Sequence, residues 1–309
     1  MSVSPDFLAY PKRRRGLDHD WFDHRPVRER PRLIWPGGAR VALWITVPVE
    51  FFPLDAPAQP LRPVGALDRA YPDYWAYANR DYGNRVGIYR IMRVLDRLGL
   101  RATAAVNAEI AVRYPRLMEE MVRRDWEVAA GGRNMGAIHH GGLGREDERA
   151  LIAETASILR RASGQKVLGW HSPGHSQSPN TLDLLAAAGF AYVMDWINDD
   201  LPYAVRTKEG PLHALPLTHE WSDRTILLQH EMMIEDYVAQ VLAAFGCLDY
   251  EAKSHGGRVL SLAVTPWIIG YPHRIAGFAH MLERILATGT VWPTTGIGLL
   301  DEFCKQSKE

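Results

Sequence analysis

Val41-Ala-Leu-Trp-Ile-Thr46 is a short apolar run rich in β-branched residues, and just beyond it, in Val-Pro-Val-Glu50-Phe-Phe52, stands a lone carboxylate. The run suits a strand buried on both faces. Working outward, apolar residues at 86, 89, 92 and 95 predict a helix over 86–98, with Gly99 as its C-terminal stop. A strand is expected over 101–106, a helix over 115–124 opened by Pro115, and a strand over 126–130. A helix over 145–162 ends at Gly164, a strand covers 167–172, and Ser178-Pro179 caps a helix that ends at Gly189. Strands at 190–195, 213–217 and 225–229 follow. A helix over 235–253, a strand over 259–264, a helix over 274–288, a short strand at Val291-Trp292 and a C-terminal helix complete the pattern.

Strand–helix alternation on this scale implies parallel strands wrapped by helices. With seven or eight strands, a closed or nearly closed (β/α) barrel is favoured over an open doubly wound sheet, and no glycine-rich dinucleotide fingerprint follows the first strand. The 309 residues would allow two domains, but α/β barrels commonly reach this length as one. Residues 1–38, rich in Pro, Arg and Asp, are expected to form an extended N-terminal arm, and residues 39–309 a single barrel domain.

Lys plus Arg (36) equals Asp plus Glu (36), so the balance gives no support to a nucleic-acid or membrane-surface partner. The expected partner is a small-molecule substrate. The basic cluster Lys12-Arg-Arg-Arg15 reads as a solvated arm, with an anionic-partner or subunit contact as the alternative. Cys247 and Cys304 have neither metal-like nor redox-like spacing, which fits free thiols in a reducing compartment. Residues 1–10 lack a basic-then-apolar leader pattern, and no uncharged apolar run approaches the ~18 residues of a membrane span. A cytoplasmic location is expected.

In a barrel of this kind the chemistry sits where strands end and loops lead into helices. That rule selects Glu50, Asn107, Gly131-Gly-Arg-Asn134, His171, His175, Asp195, Trp196 and Thr265-Pro-Trp267. Apolar and aromatic flanks disfavour a carboxylate's charged form, which suits Glu50 to general-base work; a strand-end salt bridge is the equally weighted alternative. His171 and His175 lie in a Gly-, Pro- and Ser-rich loop that can present imidazoles as acid, base or oxyanion donor, or simply hydrogen-bond them within the loop. Ser172 and Ser176 are close by, but no Gly-x-Ser-x-Gly elbow exists for a serine nucleophile. Adjacent side chains diverge, so His139-His140 is expected at the surface rather than at a metal. Trp170, Trp196, Trp267 and Trp292 fall near strand ends, where rim packing is favoured over ligand stacking.

The stretches Arg80-Asp-Tyr-Gly-Asn-Arg-Val-Gly87, Gly169-Trp-His-Ser-Pro173, Asp195-Trp-Ile-Asn-Asp-Asp-Leu-Pro-Tyr203 and Thr265-Pro-Trp-Ile-Ile-Gly-Tyr-Pro-His-Arg274 resemble the polysaccharide deacetylase superfamily. The resemblance runs from about residue 30 to the C-terminus and looks closest to the branch of metal-independent allantoinases and cyclic imide hydrolases. It implies a deformed (β/α) barrel, often assembled into tetramers, that hydrolyses amide bonds. Metal-dependent members use an acidic pair after the first strand, one carboxylate as base and the next as ligand, with a His-x-x-x-His pair as further ligands. Here those positions map to Glu50 with Phe51, and to Gly131 with Met135; a late-strand histidine maps to Thr265. A zinc site cannot be assembled from Phe51, Gly131 and Met135. The chain is therefore expected to work without a metal or other cofactor, unless a set such as His139, His140, His171 and His175 has taken over.

These readings converge on a homo-oligomeric (dimeric or tetrameric) hydrolase that opens a small cyclic amide, imide or ureide. Glu50 would activate water, and His171 or His175 would protonate the leaving nitrogen or bind the oxyanion. Arg85, Asn107, Asn134, Asp195, Trp196, Thr265 and Trp267 would hold the substrate. The alternatives are N-deacetylation of an amino sugar or peptidoglycan fragment with a recruited metal, and a lyase or ligand-binding derivative of the fold.

Overall fold

Strand β1 (Val41–Val49) is buried along its whole length in the computed structural model, which describes residues 19–55 and 71–307. Both of its edges are occupied. One carries β8 (Arg258–Ala263) in register with Val41 to Thr46. The other is shared end to end, by β9 (Val291–Thr294) against Val41 to Trp44 and by β2 (Thr103–Val106) against Thr46 to Val49. A strand that donates and accepts on both sides and is covered on both faces reads as a continuous apolar run, as this one does.

From β2 the sheet continues through β3 (Glu127–Ala130), β4 (Gly169–Trp170), β5 (Tyr192–Val193) and β7 (Leu212–Ala214), all parallel, to the antiparallel edge strand β6 (Tyr203–Val205). This is the α/β, mostly parallel, deformed barrel expected. It is a curled half-barrel, however, since β6 and β8 end the sheet without pairing to each other, and the described residues contain nine strands rather than seven or eight. The wrapping helices are α1 (Tyr74–Tyr82), α2 (Ile88–Leu98), α3 (Ala108–Arg113), α4 (Pro115–Arg123), α5 (Arg145–Ser163), α6 (Thr181–Ala187), α7 (Ile234–His255), α8 (Pro266–Ile269), α9 (Pro272–Leu286) and α10 (Gly296–Gln306).

Three local expectations are corrected. Residues 224–229 form a wide helical turn, not a strand, although Thr-Ile-Leu-Leu carries the β-branched and apolar character of one. Asn180, not Ser178, precedes α6; the Ser178 hydroxyl donates to Glu148 and accepts from the Asn180 N–H at 2.9 Å, one turn short of the helix. β6 was not anticipated; its two residues short of full burial give no apolar run to read.

Residues 33–38 lie against the barrel. Leu33 and Trp35 are buried, and the Trp35 indole donates to the Arg258 carbonyl at 2.8 Å. Earlier in the chain, Trp21 and Phe22 pack edge-on against Trp196, with ring centroids 5.3 and 5.5 Å away, and Arg206 holds Asp23 at 2.9 Å. The described part of the arm thus folds onto its own chain beside the strand ends. The basic cluster at 12–15 lies outside the described residues. No helix among the described residues is long and apolar enough to cross a membrane.

Two of the sequence stretches named above pack on each other. The turn Gly83–Gly87, between α1 and α2, lies against α8 so closely that a Cβ on Gly83 would stand 2.7 Å from the Trp267 backbone nitrogen, and one on Gly87 would collide with the Pro266 carbonyl. The glycines let this turn press Trp267 into the strand ends. Gly87→Ala is expected to lower the urea-unfolding free energy by at least about 1–3 kcal/mol, since backbone rather than a flexible side chain must move; stability equal to the parent would contradict this packing.

Candidate active site

Glu50, at the carboxyl end of β1, is buried, and its surroundings are not the purely apolar wall that its flanks imply. Its Oε2 accepts from the Arg224 guanidinium and, at 3.1 Å, from the Trp267 indole. Arg224 lies over the Trp267 ring (5.4 Å) and donates to the Thr265 hydroxyl at 3.2 Å. Thr265 is in turn fixed by Asp223, which accepts from its backbone N–H at 2.6 Å and its hydroxyl at 3.0 Å. Burial pushes the Asp223 carboxyl up to about 7, against the pull of Thr265 and Arg224. A second guanidinium, Arg80, sits over Phe52 at 4.4 Å and near Trp267 at 5.9 Å; burial lowers its pKa while the Glu50 charge opposes the shift.

A cluster of imidazoles lies within reach of the Arg224 charge. His171 Nε2 and His175 Nε2 are 3.5 Å apart with their rings edge to face, and the His219 ring centroid is 6.1 Å from that of His175. Burial is the main cause that pushes both His171 and His175 below their ordinary range, with Arg224 adding to it and Asp195 opposing it at His175, which favours the neutral imidazoles; each ring keeps a partly open face. Asp195 completes the group, taking the Ser172 N–H at 2.7 Å on one oxygen and the Gln177 amide at 2.8 Å on the other. Gln177 also accepts from the Trp196 indole at 3.0 Å, so Trp196 acts on the site through Gln177 and Asp195.

Glu50, Thr265 and Trp267 are therefore joined through Arg224, and His171, His175 and Asp195 form a second group within reach of the same Arg224 charge. The other selected residues lie differently. Arg85 is exposed, with Asp81 at 3.9 Å as its ion-pair partner among the described residues. Both ends of the Asn107 amide are used on backbone, accepting from Phe51 N–H at 2.8 Å and donating to the Gly131 carbonyl, so it straps three strand ends together. Asn134 caps its own turn through the Gly136 N–H at 2.9 Å. His139, expected at the surface, is buried: its Nδ1 meets Glu148 at 2.9 Å, and Ser178 and Thr181 donate to the same carboxylate. This pin ties the 131–144 loop, α5 and the histidine loop together. Trp170 is core, and Trp292 packs on Trp35.

Arg80, His219, Asp223 and Arg224 were not selected from sequence. The last three follow β7, where the strand-end rule applied to 213–217 points to them; the mistaken strand at 225–229 hid the loop. Arg80 lies in the same motif as Arg85, and only helix geometry tells which one faces the site.

The positions that bind the ion in metal-dependent deacetylases do not fit one here. Phe51 is buried, with its carbonyl accepting from Met135 N–H at 2.9 Å, and Met135 is buried beside it. At Gly131 even a Cβ would stand 2.9 Å from the Val106 backbone carbon. Neither nitrogen nor oxygen side chains are offered at these three positions, so no step is assigned to a metal there.

Residues 73–193 match the family model for polysaccharide deacetylase. The fold is similar to the crystal structure of PuuE allantoinase, with a TM-score of 0.83 and 23% identity over 97% of this chain and 99% of that one. It is also similar to a probable polysaccharide deacetylase from Pseudomonas aeruginosa PAO1, with a TM-score of 0.82 and 24% identity over 91% and 96% of the two chains. At these identities the likeness defines the fold and not the substrate. No curated protein matches the sequence. The chain thus shares the fold of these structures.

Two predictions follow from this geometry. The folded Asp223 carboxyl holds its proton more tightly than an unfolded one (about 3.9), so its contribution favours the folded state at low pH and is lost as pH rises through about 7. Asp223→Asn should remove that component from the stability–pH curve between about 4 and 7; an unchanged curve would show that Asp223 does not titrate there. Gly131→His, which restores an imidazole to the inherited position, should destabilise the chain by more than about 1–3 kcal/mol and add no zinc affinity.

Proposed function

We propose that this protein hydrolyses a non-peptide C–N bond by opening a small cyclic amide, imide or ureide, with Glu50 as general base. The observation that carries the reading is the placement of Glu50: a buried carboxylate whose Oε2 is held by Arg224 and Trp267, with the same Arg224 charge acting on the His171 and His175 imidazoles. Both donors use Oε2, and Oε1 is the oxygen for an incoming water. Water attacks the ring carbonyl as Glu50 takes its proton. The carbonyl oxygen becomes an oxyanion. Because His171 and His175 are neutral, each serves as an N–H donor to that oxygen, not as a proton source. Protonated Glu50 then delivers its proton to the ring nitrogen as the oxyanion collapses and the C–N bond breaks, leaving an opened chain with a carboxylic acid that loses its proton to solvent.

A flat, polar ring suits the walls. Arg80 and Arg224 present planar guanidinium donors backed by Phe52 and Trp267, a surface that matches the carbonyls and π-face of an imide or ureide better than an acetylated sugar. The similarity to an allantoinase supports the same class. N-deacetylation is the second reading, favoured by one observation: His171, His175 and Asp195 are grouped closely enough to recruit a cation in place of the inherited one.

The test is a panel of cyclic imides, hydantoins, ureides and N-acetyl sugars, with ring opening and acetate release followed separately. Ring opening is expected. Glu50→Gln should lose about 10²–10⁴-fold in turnover with an unchanged circular dichroism spectrum. Near-normal turnover would remove Glu50 as base, and acetate release without ring opening would move the assignment to the deacetylase reading.

A further inference from the structure

The geometry points to a binding site for one divalent cation of the zinc class formed by His171, His175 and Asp195, away from the positions 51, 131 and 135 that serve metal-dependent deacetylases. One ligand atom from each of the three residues lies within 4.8 Å of the other two. The two Nε2 atoms are 3.5 Å apart. That is long for a hydrogen bond between ring nitrogens. Two imidazoles bound at about 2.0–2.1 Å to one tetrahedral zinc stand about 3.3–3.4 Å apart, so the rings are already at ligand spacing.

The surroundings support the same assignment. His175 holds a φ of +55°, uncommon for a residue with a Cβ, and this turn aims its ring back at His171 four residues earlier. The His175 Nδ1 is buried with no side-chain or backbone partner at hydrogen-bond distance among the described residues. Asp195 receives one donor on each oxygen and keeps a lone pair on each. Ser172 and Gln177 orient it as outer-shell partners orient a ligating carboxylate. Two nitrogens and one carboxylate favour a zinc-class ion over magnesium or calcium. The opposing charge is Arg224, which is matched by Glu50. Three protein ligands leave a fourth coordination position for water or a substrate oxygen, which a bound cation would polarise.

The inference concerns cation binding and stands apart from the ring-opening reading. Chelator-stripped protein is titrated with Co²⁺, following its ligand-field absorption, and with Zn²⁺, measuring retained metal after desalting. Saturation at a single equivalent per chain with a tetrahedral cobalt spectrum is expected. His171→Ala and His175→Ala should each weaken binding by more than about 100-fold, beyond the about 10–100-fold of an outer-shell change, while His140→Ala binds as the parent does. His171→Gln and His175→Gln replace any alanine variant whose circular dichroism shows unfolding. Lack of uptake by the folded parent protein, or uptake unchanged when His171 and His175 are both replaced, overturns the site.

Discussion

A carboxylate buried at the end of a strand must be paired or neutralised, and the Glu50–Arg224 ion pair is the constraint around which the strand ends are arranged. Arg224 reaches Glu50 only because residues 224–229 form a helical turn at the end of the β7 loop, and that turn is set by Asp223 gripping Thr265. Trp267 closes the pair from the other side, and it is pressed into place by Gly83 and Gly87. Elements far apart in the chain are thus coupled through one charge pair. The same guanidinium faces the imidazoles and favours their neutral form.

The buried loop contacts explain why so polar a mouth keeps its shape. Asn107 joins the ends of β1, β2 and β3 through backbone hydrogen bonds, and the Glu148 carboxylate gathers His139, Ser178 and Thr181 beneath the histidine loop. These groups touch no candidate reactant. They keep the strand-end loops in register, which is what residues chosen from sequence as substrate contacts turn out to do in the case of Asn107 and Asn134.

The fold was legible because buried parallel strands leave continuous apolar runs, as at 41–46 and 259–264, and because glycines at 99 and 164 mark helix ends. The strand-end rule also found Glu50, His171, His175, Asp195, Thr265 and Trp267. What stayed hidden depended on three-dimensional choices. Thr225-Ile-Leu-Leu has strand-like composition, yet tertiary packing makes it a turn, and with it went Arg224 and Asp223. Arg80 and Arg85 look alike in the chain, but five residues along a helix and its distorted extension turn them to different sides, one to the mouth and one to solvent. The half-barrel's open edge could not be read because β6 is too short and too exposed to announce itself.

The most direct test of this account is a double-mutant cycle on unfolding free energy, with Glu50→Gln, Arg224→Gln and the two combined. If the pair organises the mouth, the single changes each destabilise and the combined change costs less than their sum, with a coupling of about 0.5–3 kcal/mol. Additivity within about 0.3–0.5 kcal/mol would mean that Glu50 and Arg224 act independently, and that the site is held by something else.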